Sequence, residues 1–145
     1  MLPRRPLLFL FLLLVVAGLI SASIADVYVG TAAKYIPPYL PTRCYGKDAT
    51  ELPTSNYFAA AGEGIWDNGA ACGRQYAVKC ISARAPAACI GDRAIQIKIV
   101  DYAASMAAQP SVAGTTMVLS GPAFAAIANT SVARATYINL EFQQV

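Results

Sequence analysis

The heptapeptide AIQIKIV, residues Ala94 to Val100, puts Ile95, Ile97 and Ile99 on one side of an extended chain and Gln96 and Lys98 on the other. This strict period of two marks a strand with one buried face. The C-terminal TYINLEF repeats the pattern, with Ile138, Leu140 and Phe142 opposed to Asn139 and Glu141. RQYAVKC sets Tyr76, Val78 and Cys80 against Gln75, Ala77 and Lys79. Weaker strand candidates are VYVGTAAKY near the start, YFAAA (Tyr57 to Ala61) and TTMVL (Thr115 to Leu119). One good helix is predicted over GPAFAAIAN, with Ser120 as N-cap, Pro122 in the first turn, and Phe124 and Ile127 on one face. Six short strands separated by Gly, Pro and Asn, with one clear helix, predict a small closed β-barrel.

Between Tyr35 and Tyr45 the chain reads IPPYLPTRC, whose three prolines impose an irregular extended loop that cannot pair fully in a central strand. Asp67-Asn68-Gly69 is turn chemistry, because Asn and Gly tolerate positive φ at little cost. The chain therefore reverses between Trp66 and Cys72. Cys44, Cys72, Cys80 and Cys89 are an even set, which in a secreted chain reads as two disulfides with three pairings open. Zinc ligation is the weaker alternative, because the spacings are wide, there is no Cys-x-x-Cys and the chain has no histidine. The same lack of histidine excludes Ser-His-Asp and Cys-His catalysis, so any acid or base must be a carboxylate or something less usual.

Arg4 and Arg5 precede the apolar run Leu7 to Ile20, which ends in small residues. This predicts a signal peptide over residues 1–25, cleaved after the Ser23-x-Ala25 pattern, and the run is short for a membrane-spanning helix. The remaining 120 residues, 26–145, suffice for one domain and not for two. Cleavage leaves nine basic and eight acidic residues, a net charge of +1. Nothing forms the basic stripe that nucleic acid would require. Asn129-Thr130-Ser131 is a glycosylation sequon, expected to be usable in a secreted chain.

The segments PPYLPTRCYG, GIWDNGAACGRQYAVKC, IQIKIVDYA and TMVLSGPAFAAIAN…INLEFQQV resemble, in order and spacing, the plant natriuretic peptide-like, endoglucanase-like and expansin-like secreted proteins. The resemblance covers essentially the whole chain after residue 25. It implies a six-stranded double-psi β-barrel like the first domain of expansins, with one or two short helices and an open groove. It also implies the pairing Cys44–Cys72 and Cys80–Cys89. Two departures stand out. Tyr102-Ala103-Ala104 occupies the place where relatives carry a further cysteine, and Val118 stands where the His-Phe-Asp-Leu-Ser motif of expansins has its acid. No hydrolytic activity is therefore expected.

Glycoside hydrolysis normally needs two carboxylates, and Asp101 is the single well-matched candidate. With the parity of Ile95, Ile97 and Ile99 it is expected at the barrel mouth, as a vestigial acid or as a carboxylate binding backbone N–H groups. Trp66 is read as packing beside a disulfide or flooring a groove; Tyr35 and Tyr102 are expected in the groove. Thr31 matches a groove threonine of expansins and reads equally as an ordinary strand residue. The resemblance implies an extracellular signal in water and ion homeostasis, acting on a cell-surface receptor from the apoplast. The alternative is a module that binds or loosens cell-wall polysaccharide. A monomer without cofactor, metal or membrane insertion is expected in either case.

Overall fold

The computed structural model describes residues 26–105, 114–131 and 137–145. The predicted leader, 1–25, lies outside the described residues. Six strands form the barrel: β1 (Tyr28–Tyr35), β2 (Phe58–Ala61), β3 (Gln75–Ala83), β4 (Ala94–Tyr102), β5 (Met117–Ser120) and β6 (Ile138–Gln144). They close in the order β1-β5-β2-β4-β3-β6. The β1–β5 and β2–β4 pairs are parallel and the other four antiparallel. Each strand falls on a stretch that the sequence offers as a strand candidate, strong or weak, and among the described residues no helix is long and apolar enough to span a membrane.

The alternating faces fill the barrel. Ile97, Ile99, Val78, Leu140, Ile138, Met117 and Leu119 form one buried cluster with Ala32, Ala59 and Ala61. Three small alanines, on β1 and β2, leave room for the larger side chains of the other strands, which is how a narrow barrel reaches interior packing density. Helix α2 (Gly121–Ile127) plugs one end by burying Phe124 and Ile127 in this cluster. Its start is fixed as predicted: Ser120 Oγ accepts from Ala123 N at 3.3 Å and donates to the Asn56 carbonyl at 2.7 Å. Cys80–Cys89 staples the same end.

A second cluster lies on the outer side of the β1-β5-β2-β4 wall. Ala33, Tyr35, Phe58, Ala60, Val100, Ala103 and Val118 are buried there, with Tyr39, Tyr45 and Leu52 packed on them. The proline loop supplies Tyr39 and Tyr45 and so roofs this face. Thr42 and Gly46 exchange backbone hydrogen bonds at 2.8 and 2.9 Å, giving the roof its own small turn. Lys98 fastens its edge from outside, donating to the Glu51 carbonyl at 2.8 Å and pairing with the Glu51 carboxylate at 3.0 Å. Cys44–Cys72 ties the roof to the chain entering β3.

Candidate functional site

At the barrel end opposite α2, β2 leaves the wall and forms one helical turn, α1 (Glu63–Trp66). Gly62 begins it and donates to the Thr116 carbonyl at 2.9 Å; a Cβ there would collide with the carbonyl oxygens of Thr115 and Thr116. The turn after α1 is as predicted and tighter, because Asp67, Asn68 and Gly69 all take positive φ (54°, 51° and 94°). Arg74 holds the turn through Asp67 at 2.6 Å.

That geometry lays the indole of Trp66 on the ring of Tyr102, centroids 4.4 Å apart and 12° from parallel. Both are partly exposed. The Tyr102 hydroxyl donates to the Glu63 carboxylate. This hydrogen bond first, then desolvation and the Glu63 charge, hold the phenol above its ordinary range, against the opposing charge of Arg43. The two rings cover each other's inner faces, so the result is a stacked platform that offers an outer ring face and ring edges, with a carboxylate at its edge. Glu63 escaped the sequence reading. Its spacing to Trp66, i to i+3, places both on one helical face and was the available signal.

The other expected site residues fare differently. Thr31 is half-buried at this end, but its hydroxyl accepts from Thr116 N at 3.3 Å while Thr31 N donates to Thr116 Oγ1 at 3.0 Å. The pair latches β1 to the residue before β5. Tyr35 does not line a groove: it is 2% exposed, held edge-on between Tyr39 and Phe58. Its strand position faces the roof, and burial, reinforced by the charges of Asp101 and Tyr39, drives its phenol far above the ordinary value. Its hydroxyl is the one buried side-chain polar atom among the described residues without a hydrogen-bond partner.

Asp101 also departs from expectation. Ala59 pairs with Ile99 but Ala60 pairs with Asp101, so β4 carries a bulge at Val100. The extra residue breaks the period of two. Asp101 therefore takes the side of Ala60, which belongs to the outer cluster, and lies under the roof, not at the mouth. There its Oδ1 accepts from Arg43 N and Tyr102 N, both at 2.8 Å. Burial raises its carboxyl above the ordinary value, opposed by those two hydrogen bonds and the Arg43 charge. Val118 lies in the same register row, two strands away through Ala60. At about 4.8 Å per strand the two positions stand roughly 10 Å apart, with no second carboxylate between them. Asn129 is exposed beyond α2, its Oδ1 accepting from Ser131 N at 3.0 Å.

A closed six-stranded barrel with two parallel pairs, one end plugged by a helix and the other bearing an aromatic platform, defines a double-psi barrel of the expansin kind. Two solved structures share the fold: the apo expansin of Clavibacter michiganensis, with TM-score 0.56, and an aspartate-to-asparagine variant of that expansin in complex with cellohexaose, with TM-score 0.57. Each is 18% identical, over 83% of this chain and 50% of the expansin, so the chain spans about half the length of those proteins. Residues 59–142 match the family model described as lytic transglycolase. An EG45-like domain containing protein of Citrus jambhiri is 37% identical over 120 residues, 79% of each chain. EG45-like domain containing protein 2 of Arabidopsis thaliana is 37% identical over 91 residues, 61% of this chain and 65% of the relative. The chain belongs to the EG45-like domain family of expansin-like double-psi barrels.

Proposed function

We propose that this chain is a secreted, single-domain protein that binds cell-wall polysaccharide in the apoplast without hydrolysing it. Residues 1–25 act as the cleaved leader, and residues 26–145 work as a monomer. The observation that carries the reading is the Trp66–Tyr102 stack, whose outer ring face and edges lie partly exposed beside hydrogen-bonding groups, the surface a pyranose ring needs. Cellohexaose bound to an expansin of the same fold supports the ligand class. The absence of hydrolysis rests on the apolar residue at 118 and on Asp101 being engaged with backbone donors. The test is sedimentation of the mature protein with cellulose and xyloglucan. Binding that falls in Trp66→Ala supports the reading, and no pelleting at any load removes it.

A second reading, extracellular signalling in water and ion homeostasis through a surface receptor, is favoured by the roof. In the relatives that this chain resembles, signalling activity is ascribed to the segment that corresponds here roughly to Ile36 to Tyr76. There the roof is one surface stapled by Cys44–Cys72 that exposes Ile36 to 59%. Cell-swelling assays with Ile36→Asp in the full mature chain test it: loss of response without loss of polysaccharide binding assigns the roof to a receptor. A variant swelling cells like wild type speaks against a receptor contact there. Release of reducing ends by the protein, abolished by Asp101→Asn, would overturn the non-hydrolytic assignment.

A further inference from the structure

The barrel mouth carries a second feature next to the platform. A basin of about 830 Å³ opens beside α1, lined by Tyr28, Glu63, Asp67, Arg74 and Gln144 among others, and shares only Glu63 with the Trp66–Tyr102–Glu63 group. Its volume is within the range of ligand pockets. Tyr28 lies 55% exposed at the start of β1, where its ring rests on Phe142 at 5.7 Å; Phe142 in turn meets Tyr76 at 5.8 Å. Phe142 and Tyr76 are buried, so an exposed aromatic ring stands on a fixed footing. Glu63 is thus flanked by an aromatic surface on each side.

The rim groups sharpen the chemistry. Carboxylates accept hydrogen bonds from hydroxyl groups, and the Gln144 amide and Arg74 guanidinium donate. Three carboxylates, Asp26, Glu63 and Asp67, line the basin against one cation, Arg74, which is bonded to Asp67 at 2.6 Å. Counting formal charges gives −3 + 1 = −2. An α-ammonium left at Asp26 by leader cleavage would make it −1, so the rim stays negative either way.

We infer that the basin is a second sugar subsite, so that one chain of neutral sugars runs from the Trp66–Tyr102 platform past Glu63 to Tyr28, while polyuronate chains are rejected by the rim. The inference rests on the polysaccharide-binding reading above. An uncharged pyranose stacks on Tyr28 and spends its hydroxyls on Glu63, Gln144 and Arg74. In the basin a uronic acid chain brings its carboxylates against Asp26, Glu63 and Asp67, where the one lining cation among the described residues, Arg74, is already paired with Asp67 and Arg43 lies on the Tyr102 side. Like-charge contacts of that kind select against a ligand more than they strengthen the preferred one.

The experiment is calorimetric titration of the mature protein with cellohexaose and with hexagalacturonate at neutral pH, on wild type, Tyr28→Ala, Tyr28→Leu and Trp66→Ala. Circular dichroism and melting curves confirm folding, and Tyr28→Leu keeps apolar cover on Phe142 while removing the flat ring. Expected are cellohexaose binding by wild type, a loss on the order of tenfold in either Tyr28 variant, and no hexagalacturonate binding until Glu63→Gln/Asp67→Asn relieves the rim. Unchanged cellohexaose affinity in folded Tyr28 variants, with Trp66→Ala still impaired, overturns the second subsite and leaves the binding function standing. Hexagalacturonate bound by wild type as tightly as cellohexaose overturns the charge selection. Failure of wild type to bind cellohexaose or any wall polysaccharide removes the function and the subsite together.

Discussion

The roofed face and the open mouth are built from the same ingredients, aromatic rings and carboxylates, and they do opposite things with them. Under the roof, Tyr35, Tyr39, Tyr45 and Phe58 pack with Asp101, whose carboxylate accepts from backbone N–H groups. At the mouth, Trp66, Tyr102 and Tyr28 present ring surface to solvent, and the Glu63 carboxylate is held by a side chain on an exposed helical turn. What separates structure from site here is access. A carboxylate bonded to backbone donors inside a packed cluster is out of a ligand's reach, whereas one at the rim of a stacked pair is open to it.

The comparison is broken most severely by restoring an acid beneath the roof. Val118 is fully buried between Ala33 and Ala60, in a cluster that contains no cation. Val118→Asp should cost about 3–5 kcal/mol, as expected for an uncompensated buried charge, and leave the protein largely unfolded or with a strongly lowered denaturation midpoint. A folded Val118→Asp protein with near-wild-type stability would mean that the roof opens readily and that the row from Val118 to Asp101 is an accessible groove after all.

Next in size is the roof's covalent tie. Cys44–Cys72 spans 28 residues of sequence and Cys80–Cys89 spans nine. On the chain-entropy account either bridge stabilises by roughly 2–4 kcal/mol, and the longer loop is worth about 1 kcal/mol more. Cys44→Ser/Cys72→Ser should therefore melt below Cys80→Ser/Cys89→Ser, a difference of several degrees by calorimetry. The reverse order would show that the short loop, which the Cys89–Ala128 bridge and the bond from Ile90 N to the Ile127 carbonyl anchor to α2, matters more than the roof.

At the mouth the balance inverts, with a small effect on stability and a large one on binding. Trp66→Ala removes a partly exposed ring, so the expected loss is about 1 kcal/mol of stability and about tenfold or more in polysaccharide affinity. Val118→Asp and Trp66→Ala thus bracket the two regions. A Trp66→Ala protein that melts far below wild type would move Trp66 from the site to the core.

The difference between these regions was only half visible in the sequence. The strands were, because Ile95-Ile97-Ile99 and Ile138-Leu140-Phe142 alternate without interruption and alternation is a property of a few neighbouring residues. The α2 cap and the Asp67–Gly69 turn were visible for the same reason, since Ser120 and Asn68-Gly69 act on backbone within three positions. The place of Asp101 was not. Counting by twos from Ile99 puts it inside the barrel, and only the pairing of Ala60 with Asp101 directly after Ala59 with Ile99 exposes the bulge that turns it outward. Tyr35 was misplaced for a related reason: what covers it is Tyr39 from the proline loop, and a loop's landing face leaves no periodic trace.

The smallest effect tests that displaced carboxylate directly. Burial lifts the Asp101 carboxyl above its ordinary value of 3.8, and the hydrogen bonds from Arg43 N and Tyr102 N, with the Arg43 charge, only partly offset it. The folded chain then holds this proton more tightly than the unfolded chain does. Its contribution to stability is fully present below pH 3.8 and is lost as pH rises through the raised folded value, with no further change beyond it. Asp101→Asn keeps an oxygen to accept from both backbone donors and removes the charge. Urea midpoints measured from pH 3 to pH 7 should show wild type losing stability relative to Asp101→Asn across that window, and the two differing by a constant amount above it. Wild type gaining on the variant as pH rises would mean that the two N–H donors outweigh burial. Asp101 would then be a buried anion held by its backbone donors and clasping the roof, and the contrast between the closed face and the open mouth would rest on the rings alone.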